Sequence, residues 1–91
     1  MYTQNSNTKQ LREMDEQFLY FQVDPKEIAY ISFIFEAYEG IAKMRTLNAP
    51  RGLIEIFYPA INEKEVIEII DDLKKELVCI ASEKPADYVS L

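Results

Sequence analysis

The chain has 91 residues, 48% of them hydrophobic, and a formal net charge of −6 at pH 7. This length suits one domain with a modest core, and the 12% aromatic content argues against a disordered chain. The negative charge argues against non-specific binding to nucleic acid or anionic lipid, because such affinity is mostly electrostatic.

Composition divides the chain into three parts. Residues 1–16 are polar and predict a flexible N-terminal arm, residues 17–82 predict the folded domain, and residues 83–91 predict a C-terminal tail. The arm has no apolar segment typical of a signal peptide, and no apolar run is long enough to span a bilayer. Cys79 is the only cysteine, which excludes a disulfide within the chain, so we expect a cytoplasmic protein.

The first half of the domain predicts a strand, a helix and a second strand. Aromatic and branched residues favour a strand over 18–23. Asp24 as a cap and Pro25 at the first helical position then start a helix, which we expect to end at Gly40. The second strand follows over 41–47.

The second half repeats this order. A turn over 48–52 leads into a third strand over 53–58, so that strands two and three form a hairpin. Asn62 and Glu65 have the spacing of a capping box, which predicts the start of a second helix. A short fourth strand is expected over 78–81. The second helix has one apolar face, formed by Val66, Ile69, Ile70, Leu73 and Leu77.

The element order is therefore β-α-β-β-α-β. Each strand–helix–strand unit crosses over with a right hand, which gives a four-stranded antiparallel sheet with both helices on one face. The expected fold class is α+β, with a ferredoxin-like arrangement.

The first helix is apolar almost all the way round. On a helical wheel, Ser32, Glu36 and Glu39 form a polar strip roughly 60° wide. One sheet and one neighbouring helix do not cover so wide an apolar surface, so we expect a partner surface there, with Phe33 on its flank. The apolar face is expected to centre on Tyr30, Ile31, Ile34, Ala37 and Tyr38.

Alternation assigns the strand residues to the two faces of the sheet. On the side of the helices we expect Leu19, Phe21, Val23, Ala42, Met44, Ile54, Ile56, Val78 and Ile80. On the open sheet face, which no helix covers, we expect Phe18, Tyr20, Gln22, Lys43, Arg45, Leu47, Leu53, Glu55, Phe57 and Cys79. A mixed apolar and charged face of this kind is typical of a contact surface, with Glu55 partly balancing Lys43 and Arg45.

The residues that most often carry chemistry are absent or isolated. The chain has no histidine, and one cysteine does not build a thiolate zinc site. No phosphate-binding glycine motif occurs. The carboxylates of the second helix are typical of solvated surface. We therefore predict no catalytic residue, no cofactor and no metal. The basic set Lys43, Arg45 and Arg51 suits a small anionic ligand, but salt bridges within the hairpin explain it as well.

Three short motifs in the middle of the chain are distinctive. With these motifs the chain resembles domain-of-unknown-function family 4911, a small bacterial family, over residues 18–80. That family has no assigned activity, so the resemblance implies no catalytic residues. The motifs are Ile34-Phe35-Glu36-Ala37-Tyr38-Glu39-Gly40, Arg45-Thr46-Leu47 and Arg51-Gly52-Leu53.

The element order, with Gly40 before the second strand, is also similar to that of ACT-type regulatory domains. Those domains typically dimerise and bind amino acids at the interface, so the resemblance implies a homodimer and an amino-acid ligand. They usually carry a glycine near the ligand in the loop after the first strand. Here that loop holds Asp24, Pro25, Lys26 and Glu27, which weakens the case for amino-acid binding but not for pairing of domains.

We expect a small non-catalytic binding or regulatory module that acts in a homodimer or as an accessory subunit. The alternative is a single-stranded nucleic-acid binder resembling RNA-recognition modules, with aromatic side chains on the open face of strands one and three. The net charge and the lack of a basic-glycine-aromatic signature on the third strand argue against it. An enzyme ranks third, because small phosphatases of this topology use an arginine where this loop offers only Lys26. The predicted interface residues are Phe18, Tyr20, Phe33, Lys43, Arg45, Leu53 and Phe57.

Overall fold

A computed structural model describes residues 15–85 of the chain. Two α-helices, α1 (Ile28–Ala37) and α2 (Glu63–Glu76), are each preceded by a short 3-10 turn, Pro25–Glu27 and Ala60–Asn62. Most of the predicted arm and the end of the predicted tail lie outside the described residues. The elements in chain order are β1 (Glu16–Gln22), α1 (Ile28–Ala37), β2 (Lys43–Asn48), β3 (Leu53–Pro59), α2 (Glu63–Glu76) and β4 (Ile80–Ser82).

The four strands form one antiparallel sheet in the order β2-β3-β1-β4. The β-α-β-β-α-β order and this α+β arrangement confirm the predicted fold class and are consistent with a ferredoxin-like fold. Both helices contribute to the same core, on one face of the sheet. That core is formed by Phe21, Val23, Ile31, Phe35, Ala42, Ile54, Ile56, Tyr58, Val66, Ile69, Ile70 and Leu73.

The entry into α1 follows the predicted signals. The Asp24 side chain accepts a hydrogen bond from the backbone N–H of Lys26 at 3.1 Å, and Pro25 is the first residue of the 3-10 turn that continues into α1. Gly40 has φ +81, the left-handed conformation expected at the helix end, although the α-helix itself ends at Ala37. The glycine therefore lies in the turn after the helix.

The predicted capping box at α2 is wrong. Asn62 precedes α2, but its side chain makes no capping hydrogen bond to the helix. Its amide Nδ2 donates instead to the carbonyl oxygens of Gly40 at 3.3 Å and Ile41 at 3.0 Å. The amide nitrogen of asparagine has two N–H donors, which an aspartate cap lacks, so this side chain satisfies two carbonyls of the loop between α1 and β2.

The predicted face assignment of β4 is also wrong. The strand begins at Ile80 rather than at residue 78, and Ile80 pairs with Gln22 while Ala81 pairs with Phe21. Gln22 and Phe21 lie on opposite faces of β1, so Ile80 faces away from the helices and is exposed. Cys79 instead packs against the core and lines a small apolar cavity with Phe21.

The buried Tyr58 on β3 makes the stability of the fold depend on pH. It is 2% exposed, and its hydroxyl donates to Glu63 Oε1 at 3.2 Å. Burial, the negative charge of Glu63 and this hydrogen bond raise the pKa of Tyr58 from 10.0 to about 12. Because the folded pKa lies above the unfolded value, the stabilisation is complete below pH 10. As the pH rises above 10 and through about 12, the free energy of unfolding falls by roughly 2–3 kcal/mol in total.

Urea unfolding of the wild type and of Tyr58→Phe between neutral pH and pH 12 measures this effect. The gap in free energy of unfolding between wild type and variant is expected to narrow or reverse above pH 10, since only the wild type loses the contribution. A constant gap from neutral pH to pH 12 would contradict the assignment.

Candidate functional site

The outward side of α1 is apolar, and Phe33 lies at its centre. Phe33 is 64% exposed, and Tyr30 is exposed beside it. Ala29 and Ala37 are exposed one turn before and after Phe33. We call these four residues the α1 outer face. Such a contiguous apolar patch on a helix is typical of a contact surface.

The predicted orientation of α1 is partly wrong. Ile31 and Phe35 are the buried side chains of the helix, whereas Tyr30, Ala37 and Tyr38, expected at the centre of the apolar face, are exposed. When a helix is apolar on nearly all sides, a helical wheel does not indicate which side is buried. The buried side is then decided by packing against the sheet and α2.

The predicted polar strip of α1 faces sideways, toward the edge strand β2. Ser32, Glu36 and Glu39 line a cleft of about 310 Å³ together with Lys43 and Met44. The polar residues therefore do not shield the outward side of the helix. This placement is why the α1 outer face is left apolar.

A second depression, the α1–α2 groove, runs along the other side of α1. It has a volume of about 150 Å³. At one end, the Tyr30 hydroxyl donates to Glu76 Oε1 at 2.8 Å, and this hydrogen bond is the main cause that raises the pKa of Tyr30. The groove is lined by Ile34, Tyr38, Ile69, Asp72, Leu73 and Glu76.

The open sheet face has a different character. The Phe18 and Phe57 rings stack with centroids 6.1 Å apart, and the Arg45 guanidinium lies 4.7 Å from the centroid of Phe57. The register places Lys43 opposite Phe57 and Tyr20 opposite Glu55. Six of the seven predicted interface residues thus share this face: Phe18, Tyr20, Lys43, Arg45, Leu53 and Phe57.

Glu55 at the centre of this face is fully buried, which the sequence did not predict. Its Oε1 lies 3.5 Å from Nη1 of Arg45, confirming the expected pair, but neither carboxylate oxygen accepts a hydrogen bond. The Arg45 side chain is 44% exposed. Leu53, predicted as part of an open surface, is also buried. The middle of this face is therefore less accessible than strand alternation predicts.

The seventh predicted interface residue, Phe33, lies on the opposite side of the molecule, because α1 covers the other face of the sheet. The predicted residues therefore belong to two separate surfaces. The α1–α2 groove was not predicted from the sequence, because it forms only when Ile69 and Leu73 pack beside Ile34. The apolar spacing on both helices was the available signal.

The described residues hold little that resembles a reaction centre. Within 15–85, no group of three or more Cys, Asp or Glu side chains could hold a metal ion. Burial is the main cause that raises the pKa of the Cys79 thiol, with Lys74 acting in the opposite direction. Such a thiol is a poor nucleophile at neutral pH. In the same part of the chain, neither helix is long and apolar enough to cross a membrane.

Comparison with known families agrees with the motifs around α1 and the hairpin. The sequence profile described as Domain of unknown function (DUF4911) matches residues 21–77, more than half of the chain. The chain belongs to the DUF4911 family. The match runs from the last two residues of β1 to the end of α2 and so includes the α1 outer face, the α1–α2 groove and Glu55. No curated protein and no solved structure matches this DUF4911 chain.

Proposed function

We propose that this DUF4911 protein is a non-catalytic binding or regulatory module that acts in a homodimer or as an accessory subunit, in the cytoplasm. The observation that carries the proposal is the 64% exposure of Phe33 at the centre of the α1 outer face. Aromatic side chains at the centre of a packed interface contribute most of its binding energy. The α1 outer face is therefore the proposed contact surface.

Native mass spectrometry of the full chain, purified gently from cells that make it naturally, tests this proposal. We expect a particle heavier than the 10.6 kDa monomer, either a dimer or a complex with a second protein. A bare monomer at high micromolar concentration would contradict the proposal. A small molecule retained in stoichiometric amount would add an anionic or amino-acid ligand to it.

A second candidate function is binding of single-stranded nucleic acid on the open sheet face. Phe18, 41% exposed and stacked on Phe57, is the observation that favours it, because bases stack on such rings. Glu55 at the centre of the face and the net charge of −6 oppose it, since both repel phosphate.

Fluorescence anisotropy with a mixed single-stranded RNA pool at low salt separates the two functions. We expect no saturable binding. Binding that is lost in Phe18→Ser but retained in Phe33→Ser would favour the nucleic-acid function instead.

A further inference from the structure

We propose that the α1–α2 groove and the adjoining α1 outer face bind a basic amphipathic helix of a partner protein. This inference rests on the proposed function and specifies the class of partner. It is carried by the shape of the groove, by the exposed aromatic residues beside it and by the distribution of charge on α2.

The groove and the α1 outer face together offer an apolar surface to a helix. The apolar lining of the groove includes Ile34, Ile69 and Leu73. On α1, Tyr30, which bonds to Glu76, lies between this groove and the exposed Phe33. The ten residues of α1 span about 15 Å, the length of nearly three helical turns. The α1 residues that line the groove, Ile34 and Tyr38, are one turn apart. A partner helix along α1 would therefore place one apolar side chain in the groove and its neighbours at i+3, i+4 or i+7 on the α1 outer face.

The charge on α2 selects a basic partner. Glu65, Glu68, Asp72 and Glu76 are all exposed, and their spacing puts them on the flank of α2 that borders the groove. Over its whole length α2 carries six carboxylates and three lysines. Lysine or arginine residues beside the apolar positions of a partner helix would meet this flank.

The same charge disfavours a second copy of the chain in this groove. In two copies related by a two-fold axis, each acidic α2 flank would meet the other copy's α1, which carries Glu36 and no cation. Like charges facing each other across an interface oppose association. The one lysine near the groove rim, Lys75, pairs with Asp72 at 3.4 Å, and both side chains are exposed. A partner cation displaces such a weak pair easily.

Two fluorescein-labelled synthetic helices of about 18 residues, five turns, test the inference. Both peptides have the same apolar face of leucine and phenylalanine. The basic helix carries lysine and arginine beside this face, and the acidic helix carries glutamate at the same positions. In anisotropy titrations with the full chain, we expect the basic helix to bind at least about tenfold more tightly than the acidic one. Phe33→Ser is expected to weaken binding of the basic helix by about tenfold.

Two matched pairs of variants distinguish binding at the groove from non-specific attraction to the negatively charged protein. Asp72→Asn should weaken binding several-fold. Asp71→Asn removes the same charge about 100° around α2 from Asp72, outside the groove lining, and should change binding by less than about twofold. Phe18→Ser on the open sheet face should leave binding unchanged, in contrast to Phe33→Ser.

Three results would overturn the inference: no binding of the basic helix, equal binding of the acidic helix, or binding that survives Phe33→Ser. A homodimer that Phe33→Glu dissociates, found together with no binding of the basic helix, would retain the proposed function and remove only this inference. A bare monomer that binds neither helix would remove both.

Discussion

Replacing Gly52 by alanine is expected to destabilise the fold by about 4 kcal/mol or more, a large share of the stability of a domain this size. Gly52 has φ +69, and a Cβ placed there would lie 1.7 Å from the backbone oxygen of Val23. The Gly52 carbonyl accepts a hydrogen bond from the N–H of Val23 at 2.8 Å, so neither backbone moves away without loss. Urea unfolding monitored by circular dichroism measures the effect.

Gly40 provides the matched control for this prediction. Its φ is +81, but nothing lies within 4 Å of an added Cβ. Gly40→Ala should therefore cost only the left-handed backbone penalty, about 1–2 kcal/mol. Equal losses for the two variants would mean that Gly52 does not lie in close contact with Val23.

Replacing Arg45 by methionine is expected to destabilise the fold by about 3 kcal/mol. The change removes the ion pair of a fully buried carboxylate whose two oxygens accept no hydrogen bond. We place the effect at the low end for a buried ion pair because the Arg45 side chain is itself 44% exposed.

The reverse change is expected to behave differently. Glu55→Met leaves Arg45 partly solvated and over the ring of Phe57, so the free energy of unfolding should stay unchanged or rise. The double variant Arg45→Met, Glu55→Met should recover most of the stability lost in Arg45→Met. An equal loss of stability in Glu55→Met and in Arg45→Met would contradict this prediction, because the buried carboxylate would then stabilise the fold.

The parts of the fold that were predictable have strong local causes. Asp24 and Pro25 start a helix through their own backbone and side-chain geometry, and Gly40 takes the left-handed turn that other residues avoid. The apolar face of α2 was predictable because charged residues occupy the rest of that helix, so that four of the five expected residues, Val66, Ile69, Ile70 and Leu73, are buried.

The parts that were not predictable depend on contacts between distant segments. Asn62 bonds to the loop that follows α1 rather than to its own helix. The β4 strand has only three residues, and its register is set by its pairing with β1 and not by any alternation of its own. The buried direction of α1 follows from where the sheet and α2 lie, since Phe33 and Phe35 have the same side chain and opposite exposure.

These errors matter for function because they separate two candidate surfaces. The open sheet face contains most of the predicted interface residues, yet its centre, Glu55, is buried. The α1 outer face contains only Phe33 from that set, but it is exposed, apolar and continuous with the α1–α2 groove. For this reason the proposed contact surface is on the helices and not on the sheet.

The most direct test of this account is native mass spectrometry of Phe33→Glu and Phe57→Glu beside the wild type, with circular dichroism to confirm that each variant is folded. We predict that the wild type and Phe57→Glu form the same assembly and that Phe33→Glu is a monomer. An assembly that persists in Phe33→Glu and is lost in folded Phe57→Glu would contradict the account and place the contact on the open sheet face.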